Sequence, residues 1–158
     1  SKKNRKYLRF LSREIRIEVQ TQRVLLTHTS PGSSKESLTS DTPNKHLAEI
    51  AQGARADVIV CGHSHQPFTR QVQQVWFINP GSVGQPRDGD PRASYAMLQI
   101  TPGDVQVEAH RLEYDVDALV SALRSHKLPE AFIQMAVQGR DLDTILEERT
   151  RQGTEPWR

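Results

Sequence analysis

The spacing of apolar residues changes several times along this 158-residue chain. Apolar and polar side chains alternate over residues 15–19, which predicts a half-buried strand. Continuous apolar runs over residues 24–26 and, after Asp57, over residues 58–61 instead predict strands that are buried on both faces. Residues 21–22 are predicted to form the hairpin turn between the first two strands. These segments indicate a sheet in which the second strand lies deeper than the first.

A helix is predicted on either side of the first two strands. Residues 1–11 have helical character and carry an apolar patch, and residues 44–55 place apolar side chains on one helical face. Asn44 is the predicted N-cap of the second helix. This helix lies between the two buried strands, and a strand–helix–strand unit favours parallel pairing of its strands.

More strands and then helices are predicted in the second half of the chain. The strands are predicted at residues 68–73, 75–79, 93–100 and 105–113. The last two flank a Pro-Gly-Asp turn and therefore predict an antiparallel hairpin. From Asp115 onwards the apolar spacing is helical, and Pro129 and Gly139 divide this region into three helices, the last beginning at Asp141. The predicted fold class is therefore mixed α/β with a helical C-terminal region.

Composition narrows the class of protein. Hydrophobic residues make up 35% of the chain, which is low for a compact α/β domain and fits a piece whose sheet another segment completes. The 21 basic and 19 acidic residues nearly balance, so nucleic-acid binding is not indicated. The single cysteine, Cys61, excludes an internal disulfide and favours a reducing, cytoplasmic compartment. No signal peptide is visible and no apolar run is long enough to cross a membrane, so we expect no membrane association.

Two histidines follow the second buried strand directly, in the sequence Gly-His-Ser-His at residues 62–65. Loops at the carboxyl ends of strands carry the chemistry of open α/β sheets, and imidazole is the commonest side-chain ligand for metals. On an extended loop, His63 and His65 can point to the same side and bind one metal or two adjacent metals. The alternative interpretation is a pair of surface histidines in a polar turn.

Two further blocks accompany this motif in the sequence. The first buried strand ends in Leu-Leu-Thr-His at residues 25–28, and Asn-Pro-Gly-Ser-Val-Gly follows the histidine motif at residues 79–84. In this order, the blocks resemble those of the calcineurin-like metallophosphoesterases, and most closely their small bacterial phosphodiesterase branch. The resemblance covers nearly the whole chain and weakens toward the C-terminus. It implies part of a two-sheet α-β-β-α sandwich with a C-terminal helical extension.

The resemblance implies a centre of two divalent metal ions, which could be Mn, Fe, Zn or Ni. His28 and His63 would bind one metal, and His65 would bind the other. The implied supporting or substrate-contacting residues are Asn79, Gly81 and Ser82. We expect their loop to hold His65 by hydrogen bonds, as ligand histidines usually require. Two such metals would clamp a phosphoryl group and activate a bridging water, but no residue of this chain is assigned a certain catalytic role.

The Asp-x-His, Gly-Asp and Gly-Asn-His-Asp blocks of the family's first half do not precede the histidine loop. We therefore expect residues 1–114 to be the C-terminal part of a phosphoesterase domain, 115–150 its helical extension and 151–158 a mobile tail. The missing N-terminal half would supply the bridging carboxylate, so the chain alone is expected to be inactive. We also expect an exposed sheet edge and association with a second copy.

Two functions therefore stay open. The first is metal-dependent hydrolysis of a phosphomonoester or phosphodiester, together with the missing half. The second is a non-catalytic binding or scaffold role for the same fold.

Several residues near these blocks receive structural interpretations. Cys61 ends an apolar strand and is predicted to be a buried, inert thiol. Glu36 is predicted to be a solvated carboxylate, and the charged residues within 87–92 are predicted to pair with one another across a turn. Thr29 stands where the family most often has Gly, and a β-carbon there predicts a changed backbone beside His28.

Overall fold

The computed structural model describes residues 1–155 of the chain. Within this range there are five helices and seven strands. In chain order they are α1 (Lys2–Arg9), β1 (Glu14–Val19), β2 (Gln22–Thr27), α2 (Asn44–Ala54), β3 (Val58–Val60), β4 (Phe68–Val72), β5 (Val75–Asn79), β6 (Ala93–Thr101), β7 (Asp104–Leu112), α3 (Val116–Ser125), α4 (Glu130–Gln138) and α5 (Leu142–Arg151). The type and order of these elements agree with the prediction.

Five strands form one sheet in the order β1-β2-β3-β5-β4. The three central strands β2, β3 and β5 are parallel, which confirms the pairing predicted from the strand–helix–strand unit. The outer strands β1 and β4 are antiparallel to their neighbours. Strands β6 and β7 form a separate antiparallel hairpin, also as predicted.

The two faces of the large sheet pack against different partners. On one face Leu25, Ile59 and Phe77 form a row across the central strands, and this row packs against α2. On the other face the core contains Val24 and Val58 and includes apolar side chains of the β6–β7 hairpin. Adjacent residues of one strand point to opposite faces, which is why both buried strands read as continuous apolar runs. The mixed α/β fold with two packed sheets is therefore confirmed.

The prediction that the apolar side chains of β1 are buried is wrong for two of the three. Ile15 and Ile17 are 52% and 45% exposed, and only Val19 packs against the core. Their register partners Leu26 and Val24 place them on the face that the hairpin covers elsewhere. Strands in a sheet lie about 4.8 Å apart, so a two-stranded layer cannot cover five strands. Association with another copy of the chain stays a prediction.

Local contacts explain two smaller differences from the prediction. Asn44 is not the N-cap of α2, because Pro43 occupies that position and makes no side-chain capping bond. The Asn44 amide oxygen instead accepts a hydrogen bond from Arg70 of β4, a contact between residues far apart in the sequence. The hairpin turn before β2 lies one residue earlier than predicted, with Gln20 in the left-handed region and Gln22 already in the strand.

The helical region follows the predicted boundaries closely. Asp115 and Asp141 cap α3 and α5, each accepting a hydrogen bond from a backbone N–H three residues on. Pro129 occupies the N-cap position of α4 rather than its first turn. Helices α4 and α5 share a small core formed by Ala131, Met135 and Ile145.

The predicted tail lies only partly within the described residues. Helix α5 continues to Arg151, and residues 156–158 lie outside the part of the chain that the structure describes. The domain boundaries at residues 114 and 150 stay predictions. Among residues 1–155, no helix is both long enough and apolar enough to cross a membrane.

The row across the central strands generates a stability prediction. Phe77 is fully buried, so Phe77→Ala should lower the free energy of unfolding by about 3–5 kcal/mol. Tyr7→Ala serves as a control, because Tyr7 is 66% exposed and should change that energy by less than about 0.5 kcal/mol. Urea denaturation of both variants measures these values. Similar losses in the two variants would contradict the assignment of this core.

Candidate metal centre

The three predicted ligand histidines follow two neighbouring parallel strands. His28 comes directly after β2, and the loop that carries His63 and His65 comes directly after β3. Parallel neighbours end at the same edge of a sheet, so these segments emerge side by side. Beyond the strands, the Gly62 N–H donates to the His28 carbonyl at 3.0 Å. This bond continues the contact between the two segments into the loop.

His28 and His63 face each other across this edge. His28 Nε2 lies 3.3 Å from His63 Nδ1, and the rings meet edge to face at an interplanar angle of 72°. Two nitrogens bound to one divalent metal at about 2.0–2.1 Å would lie roughly 3–3.4 Å apart. The pair therefore fits the donor set of one metal ion without a change in the positions of its nitrogens.

His65 is held separately from this pair. Its Nδ1 lies 2.7 Å from the carbonyl oxygen of Gln85. A carbonyl can only accept a hydrogen bond, so Nδ1 carries a hydrogen, and in the neutral imidazole Nε2 then has the lone pair. This is the arrangement in which a histidine presents one nitrogen to a metal while its other nitrogen is fixed by the protein. The contact comes from Gln85, which lies in the same loop as Asn79, Gly81 and Ser82 but after them.

The histidine loop is not the extended segment that the sequence suggested. His63 and His65 both lie in the left-handed region, with φ values of 68° and 59°. Histidine adopts this conformation more readily than most residues, but holding it still costs of order 1 kcal/mol. Ser64, between them, is buried. Two left-handed residues around a buried serine explain why His63 faces His28 while His65 faces Gln85.

The buried side chain of Asn79 holds the loop that carries His63 and His65. Its side chain is 2% exposed, and the amide nitrogen donates to Gly62 O at 2.9 Å and to Ser64 Oγ at 2.8 Å. Its amide oxygen accepts from the N–H of Gly81 at 2.9 Å. One buried amide thus connects the loop that carries the histidines with the loop that follows β5.

Gly81 and Ser82 hold the second loop in place. Gly81 has a φ of 83°, and a β-carbon there would lie 2.8 Å from two side-chain atoms of Ser94, so no side chain fits. Ser82 Oγ accepts from the N–H of Gln85 at 2.9 Å, and Gln85 in turn holds His65. Through these contacts, Gly81 and Ser82 support the loop that holds His65. A direct contact with substrate stays a prediction.

A cavity of about 610 Å³ opens beside His28. Its walls are formed by Arg13, Glu14, Thr27, His28, Thr29, Gly32, Ser33 and Ser34. The Glu14 carboxylate accepts hydrogen bonds from the Arg16 guanidinium at 3.3 Å and from the Gly32 N–H at 3.2 Å. Arg13 has no ion-pair partner among residues 1–155, so it is the uncompensated positive charge in this wall.

Thr29 does not distort the backbone next to His28. It lies outside the left-handed region, so its β-carbon meets no conformational penalty. Its hydroxyl donates to the carbonyl of Ser33 at 2.7 Å and closes a short turn in the following loop. The glycine that the family most often has at this position is therefore not required by the backbone seen here.

Glu36 is not the solvated carboxylate that the sequence predicted. It forms a short ion pair with His46 of α2, and Glu49 lies 3.6 Å from the other nitrogen of that imidazole. The Ser30 hydroxyl and His46 lower the pKa of Glu36, and Glu36 raises the pKa of His46. The pair ties the long loop after His28 to the helix that covers the sheet.

Two other interpretations were confirmed, one of them only in part. Cys61 is 2% exposed, and burial raises its pKa to about 12, which confirms an inert thiol. Asp90 pairs with Arg92 across the turn as predicted, but Asp88 pairs with Arg111 of β7 instead.

No group of three or more histidine, cysteine, aspartate or glutamate side chains in the described part of the chain is arranged to hold one metal ion. The structure brings together two of the three predicted ligands and leaves the third apart.

Comparison with known proteins gives a consistent result. A family model described as the calcineurin-like phosphoesterase superfamily domain matches residues 1–103. The chain belongs to this superfamily. An uncharacterized protein of Methanocaldococcus jannaschii, MJ0912, is 29% identical over 154 residues, covering 87% of this chain and 60% of that protein. Phosphodiesterase YfcE of Escherichia coli is 50% identical over 42 residues, which cover 27% of this chain and 22% of YfcE.

The same fold is found in solved structures. A metallophosphoesterase from Sphaerobacter thermophilus superimposes with a TM-score of 0.71 at 25% identity, covering 88% of this chain and 64% of that chain. Protein PH1004 of Pyrococcus horikoshii superimposes with a TM-score of 0.76 at 20% identity, covering 87% and 54%. The chain thus spans less than two thirds of the length of these relatives.

The ion pair between Glu36 and His46 generates a prediction on pH dependence. The raised pKa of His46 contributes stability that is complete below its ordinary value of 6.5 and is lost as the pH rises through the folded-state pKa. The lowered pKa of Glu36 contributes stability that is complete above 4.5 and is lost as the pH falls through its folded-state pKa. The wild type should therefore exceed His46→Ala in unfolding free energy most clearly between pH 4.5 and 6.5.

Urea denaturation across the pH range measures this difference. It should shrink at alkaline pH, where the imidazole is neutral. His126→Ala is the control, because His126 forms no ion pair within residues 1–155 and its removal leaves the pair of Glu36 and His46 intact. A difference for His46→Ala that does not change with pH would count against the pair.

Proposed function

We propose that this chain supplies His28, His63 and His65 to the metal centre of a phosphoesterase that hydrolyses phosphate esters. The observation that carries the proposal is the 3.3 Å approach of His28 Nε2 to His63 Nδ1 at the sheet edge. His65 supports it, because its hydrogen bond to Gln85 leaves Nε2 available to a second metal. Membership of the calcineurin-like phosphoesterase superfamily supplies the reaction class.

The metals would polarise the phosphoryl group and lower the pKa of a bound water. In our proposal this chain contributes only neutral nitrogen ligands. Carboxylate ligands that offset the charge of the metals would come from the family's first-half blocks, which do not precede the histidine loop in this sequence. The greater length of the relatives supports this division of the ligands. Manganese is the metal we would test first, and the cytoplasmic location stays a prediction from the single cysteine.

The substrate would place part of its phosphate ester in the cavity beside His28. A volume of about 610 Å³ is within the range of small-molecule sites. Glu14 is already neutralised by its own contacts, so Arg13 is available to bind an anionic oxygen. The serine and threonine hydroxyls of the same wall suit a polar ester group, and both phosphomonoesters and phosphodiesters meet this description.

A non-catalytic binding role is the second candidate. It is favoured by one observation, the absence of a third ligand beside His28 and His63 in the described part of the chain. In that role the exposed side chains of Ile15 and Ile17 would belong to a protein interface. The two functions differ in whether the full-length protein turns over a phosphate ester when a divalent metal is added.

Replacement of the loop histidines tests the first candidate. In the full-length protein with manganese, His63→Asn or His65→Asn should lower kcat/KM for bis(p-nitrophenyl) phosphate by about 100-fold or more, because each removes a metal ligand. Asparagine tolerates the left-handed backbone of these positions, so the loop should keep its shape. Calorimetry should show weaker manganese binding in both variants.

His126→Ala is the matched control for those variants, because His126 lies exposed at the end of α3. Its kcat/KM and manganese affinity should match the wild type. Turnover that survives the loss of either loop histidine would exclude the proposed centre. Manganese-dependent turnover of the wild type would in turn exclude a purely non-catalytic role.

Arg13→Gln tests the proposed substrate cavity. A hydrogen bond to a charged group contributes about 1.5–3 kcal/mol, so KM should rise about 10-fold or more while kcat changes little. Arg124→Gln is the control, because Arg124 is an exposed arginine of α3 and should leave both constants unchanged. An unchanged KM for Arg13→Gln would remove Arg13 from the site and leave the metal assignment intact.

A further inference from the structure

The turn between the last two helices, α4 and α5, contacts the loop that carries Gln85. This loop, residues 80–92, connects β5 with β6, and helices α3, α4 and α5 lie outside the range matched by the family model. In the turn between α4 and α5, the carbonyl of Gly139 accepts a hydrogen bond from the Gly89 N–H of the loop at 2.9 Å. A region beyond the matched range therefore bonds directly to a loop of the candidate centre.

The contact at Gly139 is a backbone-to-backbone contact. Gly139 ends α4 in the left-handed region, with a φ of 64°. A β-carbon on this residue would lie 2.7 Å from the carbonyl carbon of Asp90, 2.8 Å from its oxygen and 2.9 Å from the Pro91 nitrogen. These atoms belong to the main chain, so they cannot rotate away as a flexible side chain could. Gly139 is therefore a position where the loop and the turn fit together only without a side chain.

The other side of the same loop bonds to the histidine segment. Gln85 O accepts from His65 Nδ1 at 2.7 Å, and the Arg87 N–H donates to His65 O at 3.3 Å. The Gln66 side chain also donates to Arg87 O, at 3.2 Å. Residues 85–90 thus form a short bridge with His65 on one side and Gly139 on the other.

Ion pairs stiffen this bridge. Asp88 pairs with Arg111 of β7, and the side chains of both are only 20% exposed. The Arg92 guanidinium donates three hydrogen bonds to the Asp90 carboxylate, and Arg92 lowers the pKa of Asp90. A bridge fixed at both ends and along its length can transmit a displacement at Gly139 to Gln85.

We infer that the turn between α4 and α5 is a positioning element for His65, with Gly139 as its contact residue. Through residues 85–90 it holds the Gln85 carbonyl where the carbonyl fixes the His65 ring and leaves Nε2 free. The consequence for metal binding rests on the function proposed above. The structural coupling between Gly139 and His65 does not depend on it.

Gly139→Ala in the full-length protein tests this inference, with Gly153→Ala as the matched control. Gly153 also lies in the left-handed region, with a φ of 70°, but a β-carbon there would meet no atom within 4 Å. The two variants therefore share the backbone penalty and differ only in the close contact. Long-range ¹H–¹⁵N NMR of the metal-free proteins shows which nitrogen of His65 carries the hydrogen.

The wild type and Gly153→Ala should show the hydrogen on Nδ1, as the bond to Gln85 requires. Gly139→Ala should show a mixture of the two tautomers, and calorimetry should show about 10-fold weaker binding of manganese, the range found when a ligand's supporting contact is removed. A folded Gly139→Ala protein with the wild-type His65 spectrum would overturn the inference. A wild type that binds no manganese would instead overturn the proposed function, and the NMR comparison would still decide the inference.

Hydrogen exchange provides a second test if Gly139→Ala does not fold. Ile145→Val slightly weakens the core between α4 and α5, where Ile145 is 1% exposed. If the turn supports the loop, the amides of Gly89 and Arg87 should exchange faster in this variant, by a factor similar to that of the α5 amides. Faster exchange in α5 with unchanged exchange at Arg87 would show that the support does not reach His65, and would overturn the inference.

Discussion

Burial of the central parallel strands on both faces is the constraint on which the rest of the structure depends. Leu25, Ile59 and Phe77 are in register and each is fully buried, so β2, β3 and β5 cannot slide past one another without exposing a whole row. The same register fixes where β2 and β3 end. His28 and the loop after Cys61 therefore begin side by side at the same edge of the sheet. The imidazoles of His28 and His63 meet there although the two residues are 35 positions apart in the sequence.

The loops beyond that edge use polar contacts where the strands use apolar ones. The buried amide of Asn79 binds both Gly62 and Ser64, and thereby holds a loop that contains two left-handed histidines. Each left-handed residue is locally unfavourable, so the loop keeps its shape only because surrounding contacts determine it. The arrangement is pre-organised, because the strand register and the buried Asn79 amide orient the segments that carry His28 and His63.

The parts of the structure that depend on local pattern could be predicted from the sequence. Apolar runs, caps at Asp115 and Asp141, and the Pro-Gly turn between β6 and β7 all act over a few residues, and each element appeared in its expected place. What could not be predicted depends on residues distant in sequence. Arg70 donates a hydrogen bond to the side chain of Asn44, which therefore does not cap its helix. The carbonyl of Gln85, twenty residues away in the sequence, fixes His65. The exposure of Ile17 likewise depends on how many strands lie opposite β1, which the alternation of side chains along one strand does not report.

The left-handed backbone at His63 and His65 has a consequence for how this loop can change over evolution. Only a few residue types, mainly glycine, asparagine and aspartate besides histidine, occupy that conformation readily. A lineage that no longer needed the imidazoles would lose the selection on ligand chemistry but would keep the selection on backbone shape. Its loop would then drift toward those small or polar residues and away from aliphatic and β-branched ones. In a descendant, small or polar residues at these positions would indicate that only the ligand chemistry had been released from selection. Aliphatic or β-branched residues would indicate that the shape of the loop had been released as well.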